Sequence, residues 1–428
     1  MRKVQVGLLG FGTVGKGAFD LLQMNADLIR NRLQIELNVS KIFVRNPQKY
    51  DVVLPAGCTF TTDVDDILND EGIDIVVEVM GGTDFARTCI EKALTSGKNV
   101  VSANKDLIAE AGPHLLTLAS KHKADFRYEA SVLGGIPIIK AMYDSLAGNR
   151  ITELVGIMNG TTNYILSRMS EEGLGYGEVL KAAQELGYAE ADPTSDVEGY
   201  DAARKLAILS SIAFNRRIFF DDVTVEGITD IDAADIQYGK EFGLTVKLIG
   251  VAKETKKGLS LNVHPAFVPD THPLAAVRGS YNAMYVKGNG IDDAMFYGRG
   301  AGSLPTGSAI VADVMETAKH VANGTTGELI PYFQPEKNIY ASGKIEACHY
   351  MRLRVDNKSG VLARVATKLA EQRISVQSVL QRHVDGDSAT LIIVTDKCPR
   401  SYILNVIDAL SKLHVVREVG SVIRIMEE

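Results

Sequence analysis

The sequence predicts an α/β fold: an N-terminal Rossmann doubly wound parallel sheet, an α+β middle domain and a C-terminal ferredoxin-like module. Three observations predict it. Strand-like and helix-like runs alternate from residue 1 to about 130. Helices and then strand-like runs fill the stretch to about 340. Residues 349–428 read β, α, β, β, α, β, the order of a ferredoxin-like module.

In the first domain, 1–130, Val4–Leu9 is a short apolar run bounded by glycines and reads as a buried strand. A helix is expected from Val14 to about Arg30. Strands are expected at Leu37–Val44, Ile73–Val79 and Asn99–Ser102, with helices at Phe85–Ser96 and Leu107–Lys121. Repeated βαβ units imply a parallel sheet covered on both faces. In the middle domain, 131–340, helices are expected at 137–147, 160–172, 177–187 and 198–214. Strands at Val246–Ala252, Leu259–Val263 and Ala283–Lys287 suit an antiparallel sheet with helices on one face. Residues 335–348 are polar, bear Pro and Gly, and read as a linker. The last module is expected as strands 349–355, 374–383, 388–395 and 415–426 with helices 361–372 and 400–413, and a turn at Asp385-Gly386.

A chain of 428 residues suggests two to four domains. Lys and Arg number 46 against 53 Asp and Glu, a net charge of −7. That balance disfavours nucleic acid, which needs a clustered positive face. The basic run Lys253 to Lys257 reads as a solvated turn. No stretch approaches the ~20 apolar residues of a membrane span, so a soluble, membrane-free chain is expected. Cys58, Cys89, Cys348 and Cys398 form no CxxC pair, which fits a reducing, cytoplasmic compartment.

Gly10-Phe11-Gly12-Thr13-Val14-Gly15 is a GxGxxG that follows a strand and opens a helix. The first glycine allows a tight turn, the second lets the backbone approach a pyrophosphate, and the third lets helix and strand pack closely. The pyrophosphate would sit on the free N–H groups of the helix start. The second strand ends in Val44-Arg45-Asn46, with Lys49 close by, and has no acid for a ribose hydroxyl. Arg45 suits a 2′-phosphate, so NADP(H) is favoured over NAD(H); the other reading is a surface arginine. The chain thus reads as a nicotinamide-dependent oxidoreductase acting on a small polar metabolite.

Lys105, in Ser102-Ala103-Asn104-Lys105, follows a strand C-terminus, where such sheets place their ligand crevice. Between 190 and 201 lie five carboxylates: Glu190, Asp192, Asp196, Glu198 and Asp201. On the helix beyond, Lys205, Ile208, Leu209 and Ile212 fall on one face, with Asp201 one turn before Lys205. A buried ammonium is costly unless paired, so this lysine is held by carboxylates, is functional, or snorkels from the stripe's edge. The carboxylates do not match an EF-hand and hold no histidine, so polar-substrate binding ranks above a divalent metal. His114, His122, His320 and His349 read as ordinary helical or linker residues, and no GxSxG or HExxH occurs.

Taken together, GLLGFGTVG (7–15), SANKDL (102–107), EASVLGGIPII (129–139), GIMNGTTNYIL (156–166), the segment 190–209 and GRGAGSLPTGSAIVAD (298–313) resemble homoserine dehydrogenase, the monofunctional form with a C-terminal ACT domain. The resemblance spans the chain. It implies NAD(P)H-dependent reduction of L-aspartate 4-semialdehyde to L-homoserine, in threonine, isoleucine and methionine biosynthesis. It makes the middle domain a catalytic and dimerisation domain and the last, 349–428, a regulatory ACT domain. By resemblance, Lys205 donates the proton and Lys105 contacts cofactor and substrate. Glu190 and Asp201 hold the substrate ammonium, with Asp196 a further candidate. Gly302 lies near the nicotinamide. Glu129, Val132, Gly134 and Ile136 resemble a structural monovalent-cation site for Na⁺ or K⁺. A homodimer or homotetramer is implied, and the loop Asp356-Asn357-Lys358-Ser359-Gly360 is a place for an amino-acid effector, threonine by pathway logic. The ACT domain could instead serve assembly alone.

Two other readings remain open at this stage. One is another NADP-linked dehydrogenase of amino-acid metabolism. Aspartate-semialdehyde dehydrogenase needs a nucleophilic cysteine, and phosphoglycerate dehydrogenase a mid-chain Rossmann motif and a catalytic histidine; neither pattern is present. The other is an inactive amino-acid sensor, which the retention of Lys105, Glu190, Asp201 and Lys205 disfavours.

Overall fold

A computed structural model describes residues 1–328, 333–334 and 336–427. Pro335, in the expected linker, lies outside the described residues. The chain forms two compact units, each discontinuous in sequence. One comprises Met1–Thr152, Arg204–Asp222 and Asn282–Lys337; the other comprises Glu153–Ala203, Val223–Tyr281 and Asn338–Glu428.

The first unit is built on a parallel sheet. Its strands are β1 (Arg2–Leu9), β2 (Ile35–Phe43), β3 (Thr59–Thr61), β4 (Ile75–Glu78), β5 (Asn99–Ser102) and β6 (Phe126–Arg127), in spatial order 3-2-1-4-5-6. Every neighbouring pair is parallel. The order reverses direction at β1, the topological switch point of a doubly wound sheet. The expected parallel strands are therefore found, and two short edge strands, β3 and β6, are added. The expected helix from Val14 to Arg30 is two helices, Thr13–Met24 and Ala26–Leu33, separated at Asn25. Asn25 leaves helical geometry at ψ 18° while its N–H still bonds the Leu21 carbonyl, so the chain restarts rather than continues. The expected helix 137–147 is only Ile138–Lys140 followed by a π-turn, Ala141–Ser145.

Helix Ser303–Asn323 also packs in this unit, and glycines permit its approach. A Cβ on Gly17 would stand 2.2 Å from the Ser303 carbonyl oxygen, and one on Gly307 would stand 2.7 Å from the Ala18 nitrogen. Ile310, Val314 and Ala318 then join the core of Val4, Val6, Leu8, Phe11 and Phe19.

The second unit holds β7 (Ile151–Ile157, nearly all of it), β8 (Thr224–Val225), β9 (Leu244–Thr255) and β10 (Gly258–Pro269). β7 and β10 flank β9, both antiparallel to it. Strands β11 (Tyr281–Gly288) and β12 (Asp292–Arg299) follow in sequence, almost wholly within the first unit. The expected strand at 246–252 is the middle of β9 and that at 259–263 lies in the first half of β10, twelve residues each. Continuous burial along β10 erases the alternation that would have revealed its length.

The C-terminal module comprises β13 (Glu346–Asp356), β14 (Val376–Asp385), β15 (Ser388–Thr395), the two-residue β16 (Cys398–Pro399) and β17 (Val416–Ile425). Helices Val361–Glu371 and Arg400–Ser411 accompany them. The order β17-β13-β15-β14 is that of a ferredoxin-like sheet, as expected. β13 begins inside the expected linker. β17 also pairs, in parallel, with β10, matching Ala266 to Arg424 and Phe267 to Ile425. The module's sheet thus continues the middle sheet of the same unit.

Polar groups secure that seam. Arg424 donates to Glu226, and Arg400 lies 2.8 Å from the same carboxylate. Asp235, fully buried, accepts from Tyr350 Oη at 2.9 Å and Arg352 Nε at 2.7 Å. His349 is not in a linker: it lies in β13, 3% exposed, its N–H donating to Thr395 Oγ1 at 3.0 Å. Burial, reinforced by Arg424, pushes its imidazole down to about 4.

A prediction follows from that histidine. Between pH 6.5 and 4 the unfolded chain binds a proton that folded His349 refuses, so stability falls as pH drops through this window. His349→Gln should reduce that fall by up to about 3 kcal/mol, read from urea unfolding at both pH values. An unchanged pH slope would contradict it.

Candidate active site

The first unit places the dinucleotide loop at the C-terminal edge of the parallel sheet. Gly10 adopts φ +104°, and a Cβ there would stand 2.9 Å from the Val79 carbonyl oxygen. A Cβ on Gly15 would stand 2.4 Å from the Gly10 carbonyl oxygen. Gly12 differs: a Cβ there meets nothing within 4 Å. Gly12 is also the N-cap of helix Thr13–Met24, with no side chain capping it. The loop therefore offers open space in front of uncapped N–H groups, a cradle that fits a pyrophosphate. The Phe11 ring points away into an aromatic cluster, 5.3 Å from Tyr50 and 5.5 Å from Phe19 and Phe60. Only its backbone is left for a ligand. Arg45 and Lys49 are exposed just beyond β2.

Lys105 is the first residue of helix Lys105–Lys121, and a buried network sets that helix start. Glu78, at the end of β4, accepts from Ser102 Oγ at 2.8 Å and from the Met80 N–H at 2.9 Å. Ser102 Oγ accepts the Asn104 N–H, and Asn104 caps the helix through the Leu107 N–H while donating to the Gly82 carbonyl. Burial raises the Glu78 carboxyl above its ordinary range, opposed by these donors. Glu78, Ser102 and Asn104 were not singled out from sequence; the available signal was an acid ending an apolar strand.

Lys205 lies on helix Tyr200–Phe214 and is 9% exposed. Its neighbour Arg204 donates toward Asp106 at 3.2 Å and stacks over the Phe220 ring at 5.0 Å. That pair ties the helix of Lys205 to the helix of Lys105. Gly302, at φ +122°, is the N-cap of helix Ser303–Asn323, and Ser303 Oγ donates to the Thr13 carbonyl at 2.8 Å. Gly302 is thereby brought beside the dinucleotide loop.

The expected cation residues also lie in this unit. Glu129, Val132, Gly134 and Ile136 are buried, and Leu133 and Gly134 are both left-handed, at φ 55° and 44°. The Glu129 carboxylate accepts the Ile139 and Lys140 N–H groups at 2.9 and 2.6 Å. Burial and Asp313 push it up to about 7; burial pushes Asp313 up to about 6.

In the second unit, Asp196 and Asp201 converge on one amide. Asn159 Nδ2 donates to Asp196 Oδ1 at 2.7 Å and to Asp201 Oδ2 at 2.9 Å. Asp201 is 3% exposed. Glu190 is not drawn into this cluster and its side chain is exposed, while Asp192 accepts from Thr194. Gly199, at φ +83°, makes the turn into the helix of Asp201 under Val225 and Val263. Asn159 was missed from sequence, although Asn before Gly-Thr-Thr is a helix N-cap signature.

Comparison with known proteins identifies the whole. The family model for homoserine dehydrogenase matches residues 137–315, and that for its NAD-binding domain matches 10–129. Homoserine dehydrogenase of Bacillus subtilis strain 168 is 40% identical over 428 residues, 99% of each chain. The chain belongs to the homoserine dehydrogenase family. An ACT domain model matches 349–415, over the ferredoxin-like module. The crystal structure of a homoserine dehydrogenase from Thiobacillus denitrificans covers 100% of this chain and 99% of its own, at 39% identity and a TM-score of 0.94. A hyperthermophilic archaeal homoserine dehydrogenase in complex with NADPH covers 74% of the chain and 98% of its own, at 25% identity and a TM-score of 0.62. The chain is thus an NAD(P)-dependent oxidoreductase, with its glycine loop in the matched NAD-binding domain. Among the described residues, no helix is long and apolar enough to cross a membrane.

The loop geometry yields a discriminating variant. Gly12→Ala should melt at the wild-type temperature, because its Cβ has room in the protein. It should nonetheless lose at least about tenfold in NAD(P)H affinity, because the methyl fills the pyrophosphate's approach. Wild-type affinity in a fluorescence titration would contradict that placement.

Proposed function

We propose that this homoserine dehydrogenase reversibly reduces L-aspartate 4-semialdehyde to L-homoserine with NADPH, in a cytoplasmic route to threonine, isoleucine and methionine. The observation that carries the chemistry is a buried acid and a buried lysine, Asp201 and Lys205, one turn apart on a helix whose other buried positions are mostly apolar. Bound nicotinamide supplies or accepts the hydride. The chain's own residues manage charge and protons. Lys205 gives its proton to the carbonyl oxygen as negative charge develops there, and takes it back in the reverse direction. Lys105 adds positive field from the helix start fixed by Asn104. Asp201, Asp196 and Glu190 hold the substrate's ammonium.

The NADP preference rests on exposed Arg45 and Lys49, the missing acid at the end of β2, and the archaeal relative's NADPH. The cation reading rests on hard main-chain carbonyl oxygens of Glu129, Val132, Gly134 and Ile136, which suit an alkali ion. The Glu129 carboxylate is committed to N–H donors, so Glu129 would offer its carbonyl. We further read segments 1–130, 131–340 and 349–428 as the cofactor, catalytic and dimerisation, and ACT regions of at least a homodimer. In the ACT region, Asp356 is held by Arg417 at 2.8 Å, and Gly360 at φ +85° caps helix Val361–Glu371. That ordered loop is where we place a threonine effector.

The test is an assay of L-homoserine oxidation with NADP and with NAD, with and without L-threonine. Turnover with L-homoserine, faster with NADP, is expected; a folded protein that binds NADPH yet never turns over would refute the substrate assignment. Arg45→Ala should raise KM for NADPH by about tenfold or more and leave that for NADH nearly unchanged. Equal rises would remove the 2′-phosphate role.

A further inference from the structure

We infer that Asn159 is a positioning residue for the substrate's ammonium, acting through Asp196 and Asp201 rather than by touching the reacting atoms. This rests on the proposed function, in which those two carboxylates face the substrate.

The geometry leaves the amide no freedom. Asn159 is 5% exposed and is the N-cap of helix Gly160–Glu172, with extended backbone at φ −130° and ψ 121°. Its Oδ1 accepts the Thr162 N–H at 2.9 Å and is also within 3.1 Å of Thr162 Oγ1. The oxygen is thus committed to the helix, which fixes the flip of the amide. Both protons of Nδ2 then point away from the helix. One goes to Asp196 at 2.7 Å and the other to Asp201 at 2.9 Å. A single side chain spends all its hydrogen-bonding capacity: one oxygen on the cap, two protons on two acids.

The chemistry explains why an amide suits this place. Two carboxylates held close together repel, and one of them tends to take up a proton. Donors to the ionised forms oppose that and keep both charged. A lysine or arginine would do so too, but would cancel charge needed for an ammonium. Neutral Asn159 stabilises both carboxylates and leaves the pair doubly negative. It also fixes the pair's spacing to a helix start, which is a rigid reference.

The two duties are separable. Serine is as good an N-cap as asparagine, but its single hydroxyl cannot bridge two carboxylates. Asn159→Ser should therefore keep the helix cap and the wild-type KM for NADP, and should melt only modestly below wild type, because buried Asp201 loses one donor. Its KM for L-homoserine should rise about tenfold or more, a larger change than in kcat, and the acid limb of its kcat/KM profile should move to higher pH. Asn159→Asp carries the same test if the serine variant is unstable. It keeps the cap oxygen and sets a third carboxylate against the other two, so its acid limb should move further still. A stable variant with the wild-type KM for L-homoserine and an unmoved acid limb would overturn the inference. So would a loss confined to melting temperature or to KM for NADP. Wild-type enzyme without L-homoserine activity would instead refute the proposed function, and this inference with it.

Discussion

Burying ionised groups inside a helix is the constraint on which the rest of this molecule depends. On helix Tyr200–Phe214, Asp201 and Lys205 are nearly inaccessible, among Ala203, Leu206 and Ala207, which are wholly so. Hydrophobic packing alone does not support such charges. The structure answers with polar partners from sequence-distant elements. Asn159 takes Asp201, Asp106 takes the adjacent Arg204, and Gly199 gives the chain the left-handed turn that starts the helix. Each answer fixes another element in place, and these elements carry the residues of the proposed chemistry.

The same economy governs the dinucleotide loop. Close approach of backbones, Gly15 to Gly10 and Gly17 to Ser303, leaves no room for side chains and presents uncapped N–H groups at the sheet's switch point. At the C-terminal module, the seam between β10 and β17 buries Arg424 and Asp235, and the Arg424–Glu226 and Arg352–Asp235 pairs join the module to the rest of its unit. A module anchored through buried charges has few ways to shift without breaking a pair.

Much of this was legible in the sequence. The GxGxxG in its strand–helix context, the βαβ alternation and the βαββαβ order each carry local signals, and the corresponding elements are present. So does Lys205, visible as a lysine interrupting an apolar stripe. The misses have physical causes. Thr59–Thr61 and Phe126–Arg127 are too short to show any periodicity. β10 is buried along its whole length and loses alternation. A single residue, Asn25, splits the first helix, and His349 sits in a strand that begins within a polar stretch. Asn159 and the Glu78–Ser102–Asn104 network are defined by tertiary partners, so no local pattern reveals their second duty.

The central claim is that Lys205 delivers the proton while the glycine loop holds the cofactor independently. It is tested most directly by single-turnover hydride transfer in Lys205→Ala, with L-homoserine and NADP at saturation. The account predicts NADP affinity close to wild type and a transfer rate slower by about 10²–10⁴-fold. A transfer rate near wild type, or a loss explained wholly by weakened NADP binding, would contradict it.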